Sequence, residues 1–149
     1  MPAHSETRQL PYSAGQMYDL VADVASYPQF LPWCAAARIR SVTPMEDGGE
    51  EMLADLVISF KVFRETFGSR VRLYRDARRI ETEYLDGPFK FMRSNWVFLD
   101  KGDASCEVDF DVDFEFKNII LQKAIGLFFN EAMLRIVRAF ESRAEALYG

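Results

Sequence analysis

The chain has 149 residues, 18 Lys+Arg against 23 Asp+Glu for a net charge of −5, and 49% hydrophobic residues. That length suits one domain over residues 1–149 that buries a core without disulfides or metal, and a single His with two Cys, Cys34 and Cys106, cannot build a four-ligand zinc site or a disulfide framework. No apolar run approaches the ~18 residues of a membrane-spanning helix, yet 13 Phe, 6 Tyr and 2 Trp must be packed away or used.

The N-terminal run Met1-Pro2-Ala3-His4-Ser5-Glu6 has neither an apolar signal core nor an Arg-rich presequence, so the expected compartment is the cytoplasm. A short alternating strand, Ser5 to Leu10, precedes a helix start: Ser13 suits an N-cap, Gln16 follows three residues on, and Tyr12 and Met17 suit a hydrophobic staple. Met17, Leu20, Val21 and Val24 give this helix one buried stripe, ending near Asp23 to Ser26. In Tyr27-Pro28-Gln29-Phe30-Leu31-Pro32-Trp33-Cys34 two prolines allow at most a turn or so of helix, because Pro32 disfavours helical geometry at Leu31.

From Ala37 to Phe116 the pattern changes to strands separated by turn signals at Glu46–Gly49, Asp76–Arg78, Asp86–Pro88 and Lys101–Asp103, the pattern of an antiparallel meander. Alternation is clearest for Phe63, Glu65, Phe67, Ser69, Val71 and Leu73, and for Phe110, Val112, Phe114 and Phe116 against the acidic row Asp109, Asp111, Asp113 and Glu115. The turn inferred at Ser59–Arg64 has an apolar tip, without Gly, Pro, Asn or Asp. A helix from about Asn118 to Leu147 closes the chain with one broad apolar stripe, weakened at Gly126.

A strand, two short helices, six more strands and a long C-terminal helix is the order of an α+β helix-grip fold: a curved antiparallel sheet of about seven strands wrapped around the last helix. The gap between helix and sheet is then a candidate pocket. Phe60, Phe67, Phe91, Trp96, Phe110, Phe114, Ile125, Phe129 and Met133 are candidate lining residues, as are Phe30, Leu31 and Trp33 of the proline-bracketed segment, which is either a lid or portal or a loop packed on the sheet edge. For any single ring ordinary core is the readier reading; it is their surplus that favours a cavity.

The run Asp23 to Cys34, with Gly87-Pro88-Phe89, the Trp96 strand, Cys106 and Phe114-Glu115-Phe116, resembles the coenzyme Q-binding, START-like family of the polyketide cyclase and lipid transport superfamily, whose bacterial members include proteins named ribosome association toxins. The similarity spans nearly the whole chain. It implies a helix-grip domain that binds ubiquinone or a related polyisoprenoid lipid as a ligand rather than a catalytic cofactor, and that supports respiratory electron transport or quinone biosynthesis without catalysing a reaction. It also implies a bacterial source, since the mitochondrial presequence of eukaryotic members is missing.

Three further sets of residues carry functional expectations. Glu65 falls within an inward parity, where it would hydrogen-bond a quinone head or act in a cyclase- or hydrolase-type enzyme, or else sit in water near a strand end. Val62, Phe63, Ile120 and Phe128 put apolar surface at element ends and are expected to touch a membrane surface, the inner membrane being the peripheral contact. The block Lys61 to Arg79, including Arg64, Arg70, Arg72 and Arg75, would meet an anionic partner, either lipid or RNA of the large ribosomal subunit, or would be neutralised by acids on neighbouring strands. No DNA partner, catalytic group or metal site is expected, and the row Asp109, Asp111 and Asp113 is read as a solvated face.

Overall fold

The computed structural model describes residues 3–60, 63–127 and 129–149, and for Phe60, Phe63 and Ile125 the backbone alone. In chain order the elements are β1 (Ala3–Leu10), α1 (Ala14–Ala22), a 3-10 helix (Val24–Gln29), β2 (Cys34–Pro44), β3 (Glu50–Phe60), β4 (Phe63–Tyr74), β5 (Arg79–Asp86), β6 (Phe89–Gly102), β7 (Ser105–Phe116), α2 (Ile119–Leu127) and α3 (Phe129–Tyr148). The seven strands form one curved antiparallel sheet in the order β1-β7-β6-β5-β4-β3-β2. Consecutive hairpins pair β2 through β7, and β1 joins the free edge of β7.

Local chemistry explains the helical entry. Ser13 Oγ accepts from the Gln16 amide at 3.1 Å while Gln16 Oε1 accepts from the Ser13 amide at 3.0 Å, a reciprocal capping box at the start of α1. The 3-10 helix carries Pro28 inside it, and Trp33 enters β2 with φ 65, a left-handed backbone that bulky residues rarely adopt. At Gly87, φ is 132, and a Cβ there would lie 2.7 Å from Phe67 Cβ, so the β5–β6 turn requires glycine.

The core lies between the concave face of the sheet and the helices, in two clusters. One joins Met17, Tyr18, Leu20 and Val21 of α1 to Val71, Ile80, Trp96, Phe98, Val108 and Phe110 of the strands and to Phe140 and Ala144 of α3. The other gathers Phe67, Phe89, Phe114 and Phe116 with Leu121 of α2 and Phe129, Ala132 and Met133 of α3. Each buried aromatic contributes ~1.5–3 kcal/mol of hydrophobic stabilisation.

On the convex face the acidic row of β7 meets neighbours across the ladder: Asp109 accepts from Thr7 at 2.8 Å, Asp111 accepts from Asn95 at 3.2 Å, and Glu115 pairs with Lys90 at 3.0 Å. No described helix is long and apolar enough to cross a membrane.

Candidate ligand-binding cavity

Between the sheet and α3 lies a cavity of about 270 Å³. Leu56 and Ile58 (β3), Phe67 and Val71 (β4), Ile80 (β5), Met92 and Trp96 (β6) and Phe110 and Val112 (β7) form its sheet wall. Ile136 and Phe140 of α3 face them, and Val21, Val24, Tyr27, Leu31, Pro32 and Trp33 close one side. The closing segment is pinned at several points. Tyr27 donates its hydroxyl to the Val21 carbonyl, its ring meets Phe140 at 5.6 Å, and Phe30 packs edge-on to Phe140 at 5.4 Å beneath the Arg143 guanidinium.

The polar groups are few and uncharged: Ser69, Thr82 and Ser94 on the sheet wall, the Cys34 thiol at the start of β2, and the Tyr27 hydroxyl and Trp33 indole on the closing side. Burial pushes the Cys34 thiol and the Tyr27 phenol above their ordinary values, so both are neutral at pH 7. Among the described residues no group of three or more His, Cys, Asp or Glu is placed to hold a metal ion.

Of the residues singled out in the sequence, Leu31, Trp33, Phe67, Trp96 and Phe110 line this cavity. Phe30 does not: its ring lies against Tyr27 and Phe140 behind the wall. Phe114, Phe129 and Met133 do not line this cavity but sit in the other core cluster, with the Phe114 and Phe129 rings 5.5 Å apart. Phe91 is a correction of parity. The register shifts between Phe89 and Phe91, which turns Phe89 into the core and puts Met92, Ser94 and Trp96 on the concave face while Phe91 takes the opposite one. Glu65 is exposed near the start of β4 and does not line this cavity, the strand-end position in water that its place in the sequence also allowed. The side chains of Phe60, Phe63 and Ile125, and residues Val62 and Phe128 altogether, lie outside the described residues. Val21, Val24, Thr82, Ser94 and Cys34 are lining residues that sequence reasoning did not assign.

The surface expectations divide in the same way. Ile120 is 72% exposed, with Ile119 and Leu127 exposed beside it on α2. The cations expected to meet an anionic partner are largely engaged within the protein. Arg70 pairs with Glu83 at 2.7 Å and with Glu51 at 3.4 Å, Arg72 with Glu83 at 3.2 Å, and Arg75 with Asp19 of α1 at 2.6 Å. Antiparallel register puts these charges opposite one another, which is why the block is neutralised across strands; Arg64 is exposed.

A strongly curved antiparallel sheet closed over a C-terminal helix, with an apolar cavity between them, defines a START-type helix-grip protein. Residues 10–141 match the family described as polyketide cyclase / dehydrase and lipid transport, and the chain belongs to that family. It is 40% identical over 148 residues to the ribosome association toxin RatA of Escherichia coli strain K12, covering 99% of this chain and 90% of that one. Identity to the mitochondrial coenzyme Q-binding protein COQ10 homolog B of Xenopus laevis is 32% over 150 residues, 98% of this chain and 59% of the relative. The solution structure of an 18 kDa protein from Caulobacter crescentus superposes with a TM-score of 0.80 at 34% identity, covering 100% of this chain and 99% of that one.

Proposed function

We propose that this protein is a non-catalytic carrier that holds ubiquinone or a related polyisoprenoid lipid under its C-terminal helix, as a single lipid-binding domain, and delivers it to membrane enzymes of respiration or quinone biosynthesis. The observation that carries this reading is the apolar cavity of about 270 Å³ between sheet and helix. An apolar cavity of ~150 Å³ takes a benzene, so the space suits a substituted ring with a short stretch of tail. Similarity to a coenzyme Q-binding relative supports the same ligand class. No carboxylate or imidazole lines the cavity among the described residues, which favours carriage over cyclase or hydrolase chemistry. The carrier works from the cytoplasm and meets the inner membrane transiently through exposed apolar residues of α2.

Organic extraction of the purified protein followed by mass spectrometry tests the reading: a bound isoprenoid quinone is expected, together with uptake of added quinone in titration. An empty extract with no uptake overturns it. A second reading, association with the large ribosomal subunit, is favoured by the 40% identity to a ribosome association toxin. Co-sedimentation with isolated large subunits, weakened by Arg64→Glu at the exposed cation of the basic block, would support that role.

A further inference from the structure

The polar groups of the cavity narrow the class of ligand it can take. Among the described lining residues there is no Lys, Arg, His, Asp or Glu. The oxygens on the sheet wall are those of Ser69 on β4, Thr82 on β5 and Ser94 on β6. Thr82 and Ser94 are register partners, and Thr82 lies opposite Val71, two residues from Ser69 on the same strand. The three hydroxyls therefore run as one line over three adjacent strands, ~5 Å apart across a direct pair and ~7–8 Å across the diagonal.

Their bonding differs in a way that matters. Ser69 is 2% exposed and donates its proton to the Ala54 carbonyl at 3.3 Å, which leaves its lone pairs to accept. Thr82 and Ser94 make no side-chain hydrogen bond to any described residue, so their protons remain free to donate. A phosphate or carboxylate brought here would lose its hydration with no cation to meet it, a cost that neutral hydroxyls do not offset. An uncharged ring bearing carbonyl or ether oxygens loses far less and regains hydrogen bonds.

We infer that Ser69, Thr82 and Ser94 form a head-group subsite that selects an uncharged, oxygen-bearing ring over an anionic lipid head, Thr82 and Ser94 donating to the ring oxygens. This rests on the carrier reading and adds to it the charge class of the ligand and the residues that select it. With about 270 Å³ available, the ring enters first and most of a polyisoprenoid tail stays outside the cavity.

Three probes of equal tail length test the assignment by titration: a short-tailed ubiquinone analogue, the alkylbenzene lacking its oxygens, and the corresponding alkyl phosphate. The wild-type protein is expected to bind the quinone most tightly. Thr82→Val combined with Ser94→Ala is expected to weaken the quinone roughly tenfold, the scale of one to two neutral hydrogen bonds, while the alkylbenzene stays within about twofold and so reports that the cavity is intact. Quinone affinity unchanged in the double variant, equal losses for quinone and alkylbenzene, or an alkyl phosphate bound as tightly as the quinone would each overturn the subsite and leave the carrier standing. A wild-type protein that takes up none of the three overturns the carrier reading itself.

Discussion

Trp96 and Phe110 are register partners on β6 and β7, and their rings lie 4.2 Å apart where both border the cavity. A ring with packing on one side and space on the other responds to enlargement differently from a core ring. Phe110→Trp is expected to cost less than the ~1–3 kcal/mol typical of an overpacked core, because the extra atoms enter the cavity, and to reduce quinone uptake sharply. Urea denaturation with parallel quinone titration checks this; a large stability loss with unchanged uptake would show that the ring faces packed core.

Gly87 makes the opposite kind of prediction. Its φ of 132 and the Phe67 Cβ only 2.7 Å from a substituent leave no room for a methyl group. Gly87→Ala should destabilise by at least the ~1–3 kcal/mol of a strained backbone, seen as a lower denaturant midpoint with little change in slope. Because Phe67 packs edge-on to Phe89 at 5.2 Å, the variant should also shift aromatic resonances of the cluster near α2.

The Arg70–Glu83–Arg72 cluster fixes a pH dependence. A hydrogen bond from Arg70, with Arg72 close by, holds the Glu83 carboxyl below its ordinary value. A depressed carboxylate contributes stability that is fully present above its unfolded pKa and disappears as pH falls through the folded value. NMR titration of Glu83 should give a midpoint below the usual carboxylate range, and Arg70→Ala should return it towards that range. Both partners are about a third or more exposed, so the accompanying loss is expected at only ~0.2–1 kcal/mol, smaller at high salt.

The two thiols provide a reporter of occupancy. Cys34 borders the cavity and is half-buried, whereas Cys106 is 1% exposed with its pKa pushed up to about 11 by burial. Alkylation at pH 8 should modify Cys34 slowly and Cys106 only after unfolding, and bound quinone should slow Cys34 further. Equal rates with and without quinone would place the ligand away from Cys34.

Exposed Ile119, Ile120 and Leu127 on α2 predict membrane contact. Ile120→Asp with Leu127→Asp should weaken liposome flotation while leaving stability within ~0.5 kcal/mol, as surface changes usually do. Unaltered flotation would remove α2 from the contact.

Alternating strands such as β7 were legible because period-2 patterning survives translation into structure without further information: Phe110, Phe114 and Phe116 are all buried. The capping box at Ser13 was legible because it is a local hydrogen-bond pair. Phe91 was misread because a bulge is not written in hydrophobicity, whereas Glu65 takes the exposed strand-end position that parity alone could not separate from an inward one. Dividing the inward rings into cavity wall and solid core depends on which end of α3 lies over which strand, a long-range relationship. Thr82 and Ser94 went unnoticed since a threonine and a serine in a strand look like ordinary sheet residues until the surrounding lining is seen to be apolar.

The place of β1 has a consequence for how the protein acquires its shape. Among the described residues the first strand pairs with the last, Ala3 with Asp113 through Leu10 with Cys106, so one sheet edge waits for a segment about a hundred residues downstream in sequence, as the Thr7 to Asp109 bond records. Such non-local closure is entropically slow. During synthesis the early hairpins β2 to β5 can form as each is completed, while β1 has nothing to pair with until β7 has emerged. Until β1 and α1 dock and the helices that follow β7 close over the sheet, the aromatic interior stays open to water, and such unsealed intermediates are prone to aggregate.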